Sequence, residues 1–413
     1  MLARAARSWP ALVGATTLIR VASLSEETGC EILVKAEHLN PVGSPKDRVA
    51  LRAVCDAVAC GRLRPGGTIV EGTSGSTGIS LAALARCIGL RCEVFVQDDA
   101  SSDKVAALRR LGAEVVLVPA QSIVSRDHYV NRARARGAEP GCLFVDQFET
   151  ACNARAHEEG TGPEILAAVP GGRVHAFVMG AGTGGTLAGV SRALKRARGG
   201  DPAPATSCGN AAGCGGELAA AGAPADVPRS AEAAAGRAVE SSAAAAGGAA
   251  GAAGPDALTS SMAARIRDAV KRTGVAVVLA DPPGSALYHR AAHGTAFAEE
   301  QAERTVRRNR YDTVVEGIGL DRVTANLRRA VLDAAVRVSD EEAVAMSRRL
   351  AERDGLFLGS TSAVHCEAAR QVALALGPGH TVVTMACDSG ERHTTRFWSD
   401  AFLRDAGLLP QAA

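Results

Sequence analysis

Short apolar runs of strand length alternate with helical runs along most of this 413-residue chain, and that alternation constrains its fold more than any other feature. Glu31–Ala36, Thr68–Val70, Cys92–Val96, Glu114–Val118 and Leu143–Val145 read as strands. Helical stretches separate them at Asp47–Cys60, Ile79–Ile88, Lys104–Leu111 and Ile123–Arg136. In the first of these Val49, Ala50, Ala53, Val54 and Ala57 recur at helical spacing, and Gly61 stops the run. A second set starts near Gly162. Its expected strands are Val174–Met179, Val275–Ala280, Asp312–Val315, Leu356–Leu358 and Thr381–Ala386. Its expected helices are Thr186–Arg198, Ala264–Lys271, one running from the capping-box pattern Ser339-Asp-Glu-Glu342 to about Glu352, and Ala363–Leu376. Parallel strands need crossovers, and helices of this size supply them. The chain is also too long for one small core, so two three-layer α/β domains of mostly parallel sheet are expected.

The pattern breaks once. Between Gly199 and Leu258 the only large aliphatics are Leu218, Val227, Val239 and Leu258, and there is no aromatic residue. Such a segment cannot bury enough apolar surface to offset its ordering entropy. Residues 199–262 are therefore expected to be a disordered, low-complexity insertion. Residues 1–12 and 401–413 are expected to be tails. A larger domain would comprise 13–38, 150–198 and 263–400, and a smaller, mobile one 39–149.

A net charge of +2 gives no global electrostatic case for nucleic acid or an anionic membrane. No apolar run is long enough to span a bilayer. None of the 11 cysteines forms a CxxC pair, and the spacings of Cys55/Cys60 and Cys87/Cys92 suit neither a metal nor a disulfide framework. A reduced intracellular compartment is the simpler reading. Arg4 and Arg7, with no acid before Glu26, resemble the end of an organelle transit peptide, so cytoplasm and mitochondrion are the expected locations.

The chemistry is carried by small-residue loops at strand ends. Gly180-Ala-Gly-Thr-Gly-Gly-Thr186 follows a strand and opens a helix, where free amides at the positive end of the helix dipole bind phosphate. Its glycines also satisfy the dinucleotide fingerprint G-x-G-x-x-G. That fingerprint wants an acidic residue about 20 positions on, at the end of a strand, and the distance lands in the low-complexity segment. Glu71-Gly-Thr-Ser-Gly-Ser-Thr-Gly78 offers hydroxyls and amides suited to a carboxylate. Cys387-Asp-Ser-Gly390 puts a hydroxyl at the carboxyl edge of the sheet. Glu316-Gly-Ile-Gly319 and Gly359-Ser-Thr-Ser362 also close apparent strands. With Lys46 at the start of a helix, in Asn40-Pro-Val-Gly-Ser-Pro-Lys-Asp-Arg48, these loops form a constellation suited to an anionic aromatic cofactor held by amides and hydroxyls.

Together the motifs resemble the type II fold of pyridoxal-phosphate enzymes, the tryptophan-synthase-β-like group, and within it the cysteine synthase and cystathionine β-synthase family. Thr73-Ser-Gly-Ser-Thr-Gly78, Asp146-Gln-Phe148, Gly160-Thr-Gly-Pro-Glu164, Glu316-Gly-Ile-Gly319 and Cys387-Asp-Ser-Gly390 are most similar to the eukaryotic cysteine-synthase-like branch. The resemblance implies that Lys46 carries pyridoxal 5′-phosphate covalently. It implies that Gly182, Thr183, Gly184, Gly185 and Thr186 hold the phosphate, that Ser76 lies near the ring hydroxyl, and that Ser389 faces the pyridine nitrogen. It assigns the substrate carboxylate to Thr73, Ser74, Gly75 and Thr77, with Gly317 also on the substrate. It implies a homodimer acting on a small amino acid and sulfide. Three departures stand out: Ser76 where the family has Asn, Pro45 immediately before the lysine, and the insertion after Arg198.

The implied reaction is a β-replacement that makes L-cysteine from O-acetylserine, or a similar activated serine, and sulfide through an aminoacrylate. A free lysine has a pKa of about 10.4, so burial beside a helix N-terminus is needed to supply the neutral amine. A Ser389 hydroxyl suits a neutral pyridine nitrogen, whereas a carboxylate there would favour a pyridinium. The alternatives are a cystathionine β-synthase-like or serine/threonine dehydratase-like lyase, a catalytically weak cofactor-binding protein of the same fold, and a nicotinamide dehydrogenase. The last leaves Lys46 and Ser389 without a role.

Overall fold

The computed structural model describes residues 8–73, 75–100, 102–199, 259–296, 313–320 and 322–410. Ten strands among them form two sheets. The strands are β1 (Leu18–Arg20), β2 (Glu31–Ala36), β3 (Thr68–Gly72), β4 (Arg91–Gln97), β5 (Glu114–Val118), β6 (Cys142–Phe144), β7 (Ala176–Met179), β8 (Ala276–Asp281), β9 (Ala334–Arg337) and β10 (Thr381–Ala386). The larger sheet runs β1-β2-β10-β7-β8-β9 and the smaller β5-β4-β3-β6. Every pairing is parallel except β1 with β2.

Both sheets are covered on two faces, so their strands read as continuous apolar runs. The period-2 rule still sorts the side chains. Ile32 and Val34 of β2 pack on one face of the larger sheet with Val178 and Val382, while Leu33 packs on the other with Phe177, Val383 and Met385. In the smaller sheet Ile69 and Val94 lie under the helices Lys46–Ala59 and Ser76–Ile88, and Val70 and Phe95 face the helix Tyr129–Gly137. Aromatics are 3% of the chain, and these cores are filled by aliphatics and alanine.

Several expectations change. Asp312–Val315 is not a strand: Asp312 lies outside the described residues, and the rest is bent. The Asp340 carboxylate takes the Val314 amide at 2.8 Å and the Thr313 hydroxyl, so this backbone is held by a side chain rather than a ladder. Leu356–Leu358 contributes only one bridge, Leu358 to Ser389. The helix expected from Ile123 starts at Tyr129, where the His128 ring accepts the Val130 amide as an N-cap. The expected edges of the insertion and tails also move. Thr259 caps a helix Ser260–Thr273 whose Met262 is buried, so 260–262 belong to the fold. Residues 200–258 lie outside the described residues. Trp9 packs on the core of the smaller sheet, and Leu403, in the helix Asp400–Asp405, is buried against the larger one.

Candidate active site

Lys46 is the first residue of the helix Lys46–Ala59. The loop before it turns at Gly43, whose φ of +79° lies in the region that favours glycine. Asp47 locks this turn: one carboxylate oxygen accepts the Val42 amide at 2.8 Å and the other the Ser80 hydroxyl at 2.5 Å. Arg48, one residue further, is buried and fixes the helix to the larger sheet. Its guanidinium bonds Glu37 at 2.7 and 2.8 Å and Glu164 at 2.6 and 2.7 Å. The buried Lys35 of β2 joins Glu164 at 2.7 Å. Between these anchors, the Lys46 Nζ makes no hydrogen bond or ion pair with any described residue. Burial lowers its pKa, against the opposing pull of negative charge at Cys387, Asp388 and Glu37.

β7 leads into the Gly180–Thr186 loop, which enters the helix Gly185–Ala197 through Gly184 at φ +81°. A Cβ on Gly182 would sit 2.3 Å from the Gly317 carbonyl oxygen, and one on Gly185 would sit 2.0 Å from the Asn153 side chain. Only glycine fits at both places, so the backbone forms the inner wall. Thr183 accepts the Asn153 amide at 3.0 Å. The Thr186 hydroxyl lies 3.1 Å from His157 Nε2, and the other ring nitrogen lies 2.9 Å from Thr161. Burial holds the His157 pKa well below the usual range, so the ring is neutral. The donors of this loop are amides and hydroxyls at a helix N-terminus, a set suited to phosphate.

β3 leads into the second loop. Thr73 accepts the Gly75 amide at 3.1 Å, and Thr77 donates to the Gln147 side-chain oxygen. Ser74 lies outside the described residues. The buried Glu71 accepts the amides of Gly72 at 2.9 Å and Gln147 at 3.3 Å. Burial, together with the nearby Asp146, pushes its pKa up to about 8, so it is largely protonated at neutral pH. Asn153 connects the two loops: its single amide nitrogen donates both to Thr183 and, at 2.8 Å, to the Gln147 carbonyl.

β10 ends just before Cys387. Ser389 accepts the Glu391 amide at 3.3 Å and begins the turn Gly390–His393. Asp388 points to His393 at 3.1 Å, as strand alternation predicts for the neighbour of Ser389. From the same turn Arg392 crosses to the smaller sheet, donating to Ser76 at 3.3 Å and to the Val42 carbonyl. Gly317, at φ +92°, lies against the Gly182 loop. Shared contacts join Thr77 to the Gly182–Thr186 loop through Gln147 and Asn153, that loop to Gly317, and Ser76 and the turn before Lys46 to the turn after Ser389 through Arg392. Gln147, Asn153, His157 and Arg392 complete the set. None of these four has a local sequence pattern that marks it, although Gln147 lies within Asp146-Gln-Phe148.

Two mostly parallel α/β sheets, with a lysine that has no partner among the described residues and an amide-lined loop at a helix N-terminus, define a cofactor enzyme that works through an amine. The family described as pyridoxal-phosphate dependent enzyme matches residues 10–252 and 244–388, and the chain belongs to it. Cysteine synthase 2 of Schizosaccharomyces pombe is 39% identical over an alignment of 412 residues that covers 97% of this chain and 85% of that protein. Cysteine synthase 2 of Emericella nidulans is 42% identical over an alignment of 411 residues that covers 94% of this chain and 78% of that protein. The crystal structure of O-ureido-L-serine synthase superposes with a TM-score of 0.67 at 26% identity, covering 98% of this chain and 97% of that one. The cofactor is pyridoxal phosphate, and the glycine-only wall at Gly182 and Gly185 and the open Lys46 Nζ fit it. Among the described residues no group of acidic, His or Cys side chains could hold a metal ion, and no helix is long and apolar enough to cross a membrane.

The tight wall makes one variant diagnostic. Gly182→Ala must displace the Gly317 backbone, and pyridoxal phosphate affinity is expected to fall at least about tenfold, read by fluorescence titration of the apoprotein. Unchanged affinity would remove this loop from the site.

Proposed function

We propose that the protein makes L-cysteine by β-replacement, taking O-acetylserine or a similar activated serine as donor and sulfide as nucleophile. The observation that carries this reading is the unpartnered Lys46 Nζ, set among an amide loop for phosphate, a hydroxyl loop for a carboxylate and the Ser389 hydroxyl. The fungal relatives named cysteine synthase support it.

Pyridoxal phosphate, bound through its aldehyde, supplies an electron sink for charge developing at the substrate Cα. The Gly182, Thr183, Gly184, Gly185 and Thr186 loop holds its phosphate at the helix N-terminus. Ser389 presents a hydroxyl to the ring nitrogen and leaves it neutral, which favours loss of the β-leaving group over storage of a carbanion. Thr73, Gly75 and Thr77 receive the substrate carboxylate with Ser74, and Gln147 braces Thr77. Gly317 lines the substrate side, where its positive φ turns the chain towards the Gly182 loop. Lys46 would accept the proton from the substrate Cα, a task that the burial-lowered pKa of its amine favours. The smaller sheet, with residues 39–149, is the part that closes on the substrate, and the active species is a homodimer. Sedimentation of the holoenzyme at twice the chain mass checks the latter.

A second reading keeps the serine-derived donor and changes the nucleophile, as the name O-ureido-L-serine synthase suggests for the solved neighbour. Mass spectrometry of products decides among the readings. O-acetylserine with sulfide is expected to give cysteine. Serine with homocysteine giving cystathionine, or turnover only with an oxygen nucleophile, would replace the proposal.

A further inference from the structure

We infer that Arg392 is a cofactor-binding residue, which together with Ser76 holds the 3-oxygen of pyridoxal phosphate. The inference rests on the proposed placement of Lys46, the Gly182–Thr186 loop and Ser389. The pyridine ring has four handles: the nitrogen at position 1, the hydroxyl at 3, the aldehyde carbon at 4 and the phosphate arm at 5. Positions 3 and 5 flank position 4. With the aldehyde at Lys46 and the phosphate at its loop, the 3-oxygen falls on the far side of the lysine from the phosphate.

The two sides of Lys46 have different neighbours. The phosphate loop packs against Asn153, Gly317 and Leu327. The Lys46 loop and the N-terminus of the helix Ser76–Ile88 meet Arg392 instead. Its Nη1 donates to the Ser76 hydroxyl at 3.3 Å and its Nη2 to the Val42 carbonyl. A Cβ on Gly43 would lie 3.3 Å from the same Nη2, so the turn before Lys46 is shaped around this guanidinium. Arg392 also begins three residues after Ser389, which ties it to the ring-nitrogen end of the site.

Two features suit Arg392 to an anionic oxygen. No carboxylate lies within ion-pair distance of it among the described residues, although Asp47 feels its charge, and two hydrogen bonds leave donors of its five N–H groups to spare. The Ser76 side chain is short and already accepts from Nη1, so its own hydrogen is free to donate alongside. A charge-assisted pair of this kind is stronger than the same contact from a neutral amide.

The test uses the full chain, freed of cofactor and reloaded with pyridoxal phosphate, with Lys46→Ala as control for the site itself. Arg392→Ala is expected to weaken cofactor binding about tenfold or more and to shift the pH at which the visible band titrates. Arg392→Lys, which keeps the charge, is expected to retain most of the pH behaviour. Ser76→Asn added to Arg392→Ala supplies a longer neutral donor and is expected to recover part of the lost affinity. Wild-type affinity and an unchanged pH midpoint in Arg392→Ala would overturn the inference. So would equal losses in all three variants with an unchanged midpoint, since that marks a purely structural residue. If the wild type binds no cofactor, or Lys46→Ala keeps the wild-type band, the site reading fails instead.

Discussion

Lys46→Ala is expected to lose the lysine-dependent absorption band of the holoenzyme and to lower turnover by at least about 10³-fold, within the range set by general acid–base catalysis. The structure argues for so large an effect because, among the described residues, no other amine near the site is free to do the same work. The Lys46 Nζ has no partner among the described residues, while the two buried lysines are committed. Lys35 is paired with Glu164, and Lys195 is held by Thr273, Val275 and Asp333. The helix that carries Lys46 is pinned on both sides of it, by Asp47 to Val42 and Ser80 and by Arg48 to the larger sheet. Truncation to alanine therefore removes the amine without moving the loop. Cofactor is still expected to bind through the phosphate loop, with the spectrum of the free aldehyde. Stopped-flow absorbance and a cysteine assay read the two effects separately, and a variant with a normal band would sink the assignment.

Arg48→Met is expected to destabilise the fold by about 3–5 kcal/mol, because it strands buried charge. Glu37 is fully buried and takes two bonds from Arg48. Glu164 takes two more and is left with Lys35 and the Ala15 amide. The pH dependence has a definite sign. Burial alone would raise the Glu164 pKa, but the hydrogen bonds from Arg48 and Lys35 outweigh it and bring it from 4.5 to about 2. A carboxyl whose folded pKa is depressed stabilises fully above its unfolded value, and that stability is lost as pH falls from about 4.5 through about 2. In Arg48→Met the Glu164 pKa rises and this window narrows. Urea midpoints measured between neutral pH and pH 3 are expected to show a large gap that closes on the acid side. A gap of the same size at every pH would argue for lost packing rather than lost charge pairing.

Most of the frame was legible because it is local. β5 is found at Glu114–Val118 as its apolar run suggests, and the capping box at Ser339 forms both of its bonds. Apart from the Glu316–Gly319 loop, each loop assigned to the site from sequence leaves a strand or opens a helix, so its position at an element end could be read from glycine and hydroxyl spacing. The expected strand at Asp312–Val315 failed because its competitor, the Asp340 carboxylate, is far along the chain. The same blindness hid Arg48, whose Glu164 partner is 116 positions away and whose charge reads as an ordinary solvated face. Asn153 and Arg392 were missed for the same reason: each acts by reaching across to another element.

Asn153 carries a consequence of its own. One carboxamide nitrogen spans the phosphate loop and the segment that braces the carboxylate loop, at 3.0 and 2.8 Å. It acts as a caliper between the two loops: whatever spreads them must break one of its bonds, so a shift of either is passed to the other.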